Sequence, residues 1–230
     1  MRTIQGLIEA VEAEARRSPF PVDTPVYTKA GRAPLVPVLF AGSLDAPVCV
    51  IGRDLGRDAV AAGQPLIGAG GRLVRAGFYR AIHGRDAPTP AIDRGLESVL
   101  EHVLLTNTVP FKPPGNKAYS SQVRERFRPF LAELLVAHWK GNRVITLGNE
   151  AFHWFEPYVD DPAALATFWA KEDRYESSLR CRVFFEHAGG RSGRELVVEP
   201  LPHPSPLNAR WYGLFPGLLA GRLESAGLGT

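Results

Sequence analysis

Four short apolar runs constrain the fold of this chain more than any other feature of its sequence. They occupy residues 48–51, 103–105, 144–147 and 196–198, and each is followed within two residues by glycine, asparagine or proline. Continuous apolar runs of this length are typical of parallel strands that are buried on both faces. The chain is therefore expected to build a sheet from four such strands.

Segments with helical spacing of their apolar residues lie around these runs. The expected helices cover residues 3–17, the region around 73–78, and residues 120–135, 150–155 and 211–226. Ser120 and Ser121 are candidate caps for the third helix, and Pro129 should kink or divide it. Alternating strands and helices predict an α/β fold with a central four-stranded parallel sheet and helices on both faces.

The chain is expected to form a single domain over residues 1–230, in which residues 1–45 supply an N-terminal helix and an extended arm. Residues 19–37 contain five prolines, which favours irregular, extended backbone. Residues 182–185 are a candidate additional strand.

Several classes of protein are disfavoured by composition. No apolar run approaches the roughly 20 residues that a membrane span needs. Cys49 and Cys181 are the only cysteines, which suits a reducing cytoplasm and is too few for an iron–sulfur cluster. The six histidines show no metal-type pairing, and residues 68–71 lack the preceding strand of a dinucleotide fingerprint. We expect a cytoplasmic protein with no cofactor and no membrane contact.

The charge balance favours an anionic partner. The net charge is +3 and the isoelectric point is near 9.0. Seven cations lie beside glycine- and proline-rich segments, where phosphate contacts are commonly made: Arg53, Arg57, Arg72, Arg75, Lys112, Lys117 and Arg210.

Candidate functional residues follow the expected strands. Gly52 and Asp54 follow the first, Asn107 the second, Gly148 the third and His203 the fourth. Because ligands of open α/β sheets bind at the carboxyl ends of the strands, these residues should meet at one edge.

The last of these segments, His203-Pro204-Ser205-Pro206-Leu207, places an imidazole and an apolar tip on a loop stiffened by two prolines. Taken singly, the motifs have plainer explanations: Asn107 could cap a turn, Asp58 a helix, and His203 a proline-rich turn. Their order along the chain is more specific than any one of them.

In that order the strand ends resemble those of the uracil-DNA glycosylase superfamily, over roughly residues 46–226. The resemblance implies hydrolytic removal of uracil from single- and double-stranded DNA as the first step of base excision repair. It implies that Asp54 handles the attacking water and that His203 donates a hydrogen bond to uracil. Asn107 would read the pyrimidine edge, with Gly52 and Leu66 also in the base pocket.

The same resemblance implies the DNA contacts and a monomeric enzyme. Backbone amides around Gly148 and Ser205 would hold phosphates, with Pro204 and Arg210 also beside DNA. Leu207 would enter the base stack in place of the flipped nucleotide.

The chain departs from the family pattern at two positions. Gly56 stands where the most uracil-selective members carry a tyrosine, and Leu66 stands where thermophile-type members carry a stacking aromatic ring. Residues 113–116 resemble a loop of those thermophile-type members. A broader deaminated-base or mismatch glycosylase, or a weakly active damage-binding relative, therefore remains an alternative.

Overall fold

The computed structural model describes residues 1–88, 95–115 and 117–229; Asn116, part of the loop resemblance above, lies outside them. Within these residues the chain builds a six-stranded sheet in the order β1-β3-β2-β4-β6-β5. The strands are β1 (Phe40–Gly42), β2 (Val48–Asp54), β3 (Val103–Val109), β4 (Arg143–Leu147), β5 (Leu179–His187) and β6 (Gly190–Leu201).

The expectation of a four-stranded sheet is corrected at both edges. Strands β3, β2, β4 and β6 are parallel, as predicted, but β1 and β5 add antiparallel edge strands. Strand β5 contains the candidate extra strand at residues 182–185, whereas the sequence pattern did not indicate β1. With three half-buried residues, β1 carries too short a pattern to be recognised.

Nine α-helices are described in these residues. They are α1 (Ile4–Arg17), α2 (Thr24–Lys29), α3 (Arg57–Ala62), α4 (Ala69–His83), α5 (Ser121–Glu133), α6 (Asn149–His153), α7 (Pro162–Ala170), α8 (Ala209–Tyr212) and α9 (Phe215–Ser225). None of the described helices is long and apolar enough to cross a membrane.

Three helical expectations need correction. The arm at residues 19–37 includes α2, because Pro25 lies in the first turn, where its missing N–H is tolerated. Helix α5 is not divided at Pro129: it continues to Glu133 and passes into a π-helical segment, Leu134–His138. The alternative of a kink at Pro129 stays a prediction. The expected C-terminal helix is divided into α8 and α9.

The sheet separates two apolar layers, and β2 shows how. Cys49 and Ile51 pack into the layer that contains α1 and α5, while Val48 and Val50 pack into the layer that contains α4 and α9. Successive strand residues point to opposite faces, so a strand covered on both sides must be apolar throughout. This placement leaves the carboxyl ends of the parallel strands as the exposed edge for a site.

Candidate active site

A cavity of about 180 Å³ lies at the carboxyl edge of the parallel strands. The ends of β2 and β4, strand β3, the loop before α4, the start of α4 and the segment after β6 all contribute to it. Its lining residues are Gly52, Arg53, Asp54, Gly56, Leu66, Ile67, Gly70, Gly71, Asn107, Leu147, His203 and Pro204. Six of the ten residues selected from the sequence are therefore brought together here: Gly52, Asp54, Leu66, Asn107, His203 and Pro204.

Asp54 is the last residue of β2, and its carboxylate is buried, with only 3% of the side chain exposed. Oδ2 accepts a hydrogen bond from Arg53 Nε at 2.9 Å, while Oδ1 makes no hydrogen bond of regular geometry with the described residues. Burial raises the pKa of Asp54 above its ordinary value, against the opposing effects of Arg53, the Tyr119 backbone and Arg124. Such a carboxylate retains affinity for a proton or a water molecule.

Asn107 lies within β3, opposite Gly52 of β2, and is buried. Its Nδ2 donates to the backbone oxygen of Asp54 at 3.1 Å. Its Oδ1 is buried and has no hydrogen-bond partner among the described residues. A buried acceptor without a partner is costly, so this atom is suited to meet a donor from a ligand.

Leu66 is held over the cavity in a left-handed backbone conformation, with φ +53°. Arg75, itself buried, donates from Nε to the Leu66 backbone oxygen at 3.3 Å and from Nη2 to Gln64 Oε1 at 3.1 Å. A Cβ on Gly71 would lie 1.8 Å from the same backbone oxygen, so only glycine fits there. Strain of this kind persists only where the surroundings impose it.

Gly52 leaves the space between Asn107 and Leu66 open. A Cβ there would lie 2.6 Å from Asn107 Nδ2 and 2.8 Å from Leu66 Cδ2. Any larger residue would thus displace both side chains.

His203 lies in the segment after β6 and remains solvent-accessible at the cavity. The protein around its ring, and secondarily the positive charge of Arg53, lower its pKa. This lowering of the pKa favours the neutral imidazole at neutral pH. Gly148 adopts φ +84°, and a Cβ on it would come within 3.0 Å of His203 Cβ, so Gly148 makes room for the histidine segment.

The phosphate contacts expected from backbone amides around Gly148 and Ser205 stay a prediction, and the amides of these two residues themselves have partners within the protein. Gly148 N donates to Leu201 O, and Ser205 N donates to His203 O, each at 2.8 Å. Both amides are thus engaged within the protein. The Ser205 hydroxyl also accepts from Leu207 N at 3.3 Å, which stabilises the turn.

Leu207 and Arg210 lie outside the cavity on the same segment. Leu207 is almost fully exposed to solvent, at 96%. Arg210 is exposed and lies over the ring of Trp211, with 4.9 Å from Cζ to the ring centroid. Both side chains are thus accessible to a partner that approaches the cavity.

Two of the seven candidate phosphate-binding cations are structural instead. Arg75 holds the loop of Leu66, and Lys112 is buried with its ammonium group bound to Asp23 Oδ2 and to the backbone oxygens of Pro113 and Gly115. No sequence pattern predicted that Tyr119 lies beside Asp54. Gly70 and Gly71 are the sequence feature that could have predicted close packing at the start of α4, because a Cβ at either position would clash with neighbouring backbone.

The described residues contain no group of three or more side chains that could hold a metal ion. The site is instead a small cavity with one carboxylate, one amide and one neutral imidazole, at the ligand-binding edge of an α/β sheet. Residues 40–224 match the family model of the uracil DNA glycosylase superfamily. The chain belongs to the uracil-DNA glycosylase superfamily, and this membership supports a hydrolytic, glycosylase-type function in DNA repair. A comparison with curated proteins found no match.

Proposed function

We propose that the protein is a uracil-DNA glycosylase, which flips a deoxyuridine out of DNA and hydrolyses its N-glycosidic bond. The observation that carries the proposal is the convergence of Asp54, Asn107 and His203, from three separate segments, on one cavity. Its volume of about 180 Å³ is below the roughly 300–1,000 Å³ of pockets for drug-sized ligands. A single base is a ligand of suitable size.

Asn107 supplies the means to recognise uracil. Its buried Oδ1 can accept from N3–H, and the second hydrogen on Nδ2 can donate to O4. The bond from Nδ2 to the Asp54 backbone fixes the amide plane. Cytosine has an acceptor at N3 and an amino group at C4, so both contacts would be mismatched and the base would be rejected.

His203 and Asp54 supply the electrostatics of bond cleavage. When the C1′–N1 bond breaks, its electron pair leaves with uracil and positive charge develops on the sugar. A neutral imidazole can donate a hydrogen bond to the departing uracil anion. The Asp54 carboxylate can stabilise the sugar cation and hold the water that adds to C1′, and its raised pKa favours acceptance of the water's proton.

Leu207 supports action on duplex DNA. An apolar side chain this exposed, on a proline-stiffened turn beside the cavity, can fill the gap left by a flipped nucleotide. Base flipping is required because the glycosidic bond is not reachable inside the duplex.

Excision from defined oligonucleotides tests the proposal. Duplexes that contain one uracil, hypoxanthine, xanthine or a G·T mismatch are incubated with the protein, and abasic sites are cleaved with alkali. Uracil should be released at the highest rate, and the double variant Asp54→Asn, His203→Ala should show only background cleavage. Absence of uracil release, or tight binding of damaged DNA without any cleavage, would contradict the proposal.

A broader glycosylase is the second candidate, and Gly56 is the observation that favours it. Gly56 lines the cavity, and no atom lies within 4 Å of the position that its Cβ would occupy. The cavity therefore has open space where bulk could exclude a larger base. The mismatch and purine substrates of the same experiment measure this range.

A further inference from the structure

Arg53, which the sequence offered only as one of seven candidate phosphate-binding cations, has no part in the mechanism proposed above. It lines the cavity beside Asp54, and its side chain is 34% exposed. Its backbone oxygen accepts from Thr108 Oγ1 of β3 at 2.5 Å, which fixes the end of β2 against its neighbour. Its guanidinium group therefore extends from a rigid backbone.

The contact between Arg53 and Asp54 is unusual for neighbours in a strand. Side chains of consecutive strand residues point to opposite faces of the sheet, yet Arg53 Nε reaches Asp54 Oδ2 at 2.9 Å. Both residues lie at the carboxyl end of β2, where the strand ends and its side chains can turn toward the same edge. The chain thus brings the charge of Arg53 to the one carboxylate in the cavity lining.

We propose that Arg53 is a positioning residue for hydrolysis: it orients the Asp54 carboxylate so that Oδ1 faces the reacting sugar, and it places a positive charge in the cavity that His203 also lines. The inference rests on the proposed glycosylase function. It adds Arg53 as a residue that acts through Asp54 and His203. It also predicts that loss of Arg53 changes how the excision rate depends on pH.

The geometry assigns different tasks to the two oxygens of Asp54. Oδ2 is held by the guanidinium group, while Oδ1 is left for water or for the sugar cation. Arginine suits this task because its planar, permanently charged group holds a fixed orientation, whereas lysine offers a mobile point charge.

The positive charge of Arg53 lowers the pKa of both Asp54 and His203. Facing Asp54 are Arg53 from β2, Arg124 from α5 and Tyr119 from the segment before α5; the two arginines and the Tyr119 backbone lower the pKa of the carboxyl against the larger effect of burial. The protein around the His203 ring, and secondarily the positive charge of Arg53, lower the pKa of the imidazole. Loss of the Arg53 charge should therefore raise both pKa values.

The test compares Arg53→Gln, Arg53→Lys and Arg180→Gln with the wild-type protein. Arg180 is a matched control because it does not line the cavity and pairs with Glu195 at 2.9 Å across strands β5 and β6, with both side chains exposed. Single-turnover excision of uracil is measured across pH, and the His203 ring is titrated by NMR, with its signal assigned from a His203→Gln spectrum.

We expect Arg53→Gln to move the acidic limb of the pH profile upward by about half a unit or more, with the rate recovering as pH rises. The His203 midpoint should rise in the same variant. Arg53→Lys should restore both midpoints while leaving a lower plateau rate, and Arg180→Gln should match the wild type.

Other outcomes overturn the inference. A uniform loss of rate with an unmoved limb would indicate a purely structural role, and a change confined to DNA affinity would indicate a phosphate contact. An unmoved His203 midpoint in Arg53→Gln would overturn the electrostatic effect even in a protein without uracil excision. That titration separates failure of this inference from failure of the proposed function, because it requires no substrate.

Discussion

The side-chain amide of Asn107 donates to the backbone oxygen of Asp54 at 3.1 Å, across the paired strands β3 and β2. The residue proposed to read the base is thus bonded to the residue proposed to direct water. A base held by Asn107 Oδ1 is thereby placed relative to the strand end that carries the carboxylate. In the proposed mechanism, this hydrogen bond within the sheet would couple base recognition to hydrolysis.

Replacement of Asn107 by aspartate should change the preferred base. A partly protonated carboxyl can accept from the cytosine amino group and donate to N3, whereas its ionised form repels O4 of uracil. We expect Asn107→Asp to lose uracil excision and to gain weak cytosine excision that increases as pH falls. Release of each base from matched oligonucleotides measures the change. Unaltered uracil release would show that Asn107 only caps a turn and that another group reads the base.

Asp54→Asn and His203→Ala should each reduce single-turnover excision by roughly 10²-fold or more, because each removes a group placed where charge develops. The wild-type rate should fall at acid pH, since Asp54 must be ionised and His203 neutral. Burial raises the pKa of Asp54 above 3.8, and the protein around the His203 ring lowers the pKa of that imidazole below 6.5. Retention of a rate within about threefold of wild type in both variants would refute these roles.

A thermal melt provides the control for folding in this experiment. A carboxyl whose pKa is raised in the folded state destabilises that state above the folded pKa. The neutral side chain of Asp54→Asn should therefore leave the melting temperature at neutral pH unchanged or higher. A marked fall would mean that any loss of excision reflects misfolding.

The four parallel strands could be predicted because strands covered on both faces need continuous apolar runs. The convergence of Asp54, Asn107 and His203 followed from topology, since parallel strands present their carboxyl ends at one edge. Strand β1 could not be predicted, because its three half-buried residues carry no distinctive pattern.

The role of Arg75 and the internal partners of the Gly148 and Ser205 amides could not be predicted from the sequence. Arg75 was interpreted as a phosphate-binding cation because it lies near glycines, but burial against Gln64 and Leu66 makes it structural. Which amides are engaged depends on partners that only the folded chain brings near, such as Leu201 for Gly148.

The loop held by Arg75 should contribute to stability. Arg75→Met would leave the Leu66 backbone oxygen and the Gln64 amide oxygen without their buried donor, at a cost of about 1–3 kcal/mol each if water cannot replace it. Denaturant unfolding measures the loss. Arg80→Met is the control, because Arg80 lies on the same helix and pairs at 3.6 Å with Asp86, with both side chains exposed; equal stability of the two variants would contradict this role for Arg75.

Gly56→Tyr should narrow the range of bases accepted. Gly56 has extended backbone, φ −85° and ψ 168°, which any residue can adopt, and the space at its Cβ position is open. A tyrosine ring there would oppose the methyl group of thymine more than the bare edge of uracil. Thymine release from G·T mismatches should fall relative to uracil release, with Gly56→Ala intermediate; a parallel fall for both bases would count against this position as a determinant of specificity.

Leu207→Ala should lower excision from duplex DNA more than from single-stranded DNA. The side chain is exposed to solvent in the free protein, so its removal costs little stability. Its proposed contribution arises only when a base stack must be opened, which costs a few kcal/mol. Leu214→Ala is the matched control, because Leu214 is also exposed, at 56%, and lies seven residues further along the chain. The ratio of duplex to single-strand rates should fall for Leu207→Ala and remain at the wild-type value for Leu214→Ala. An equal loss on both substrates would remove the wedge role and leave Leu207 as a general contact to DNA.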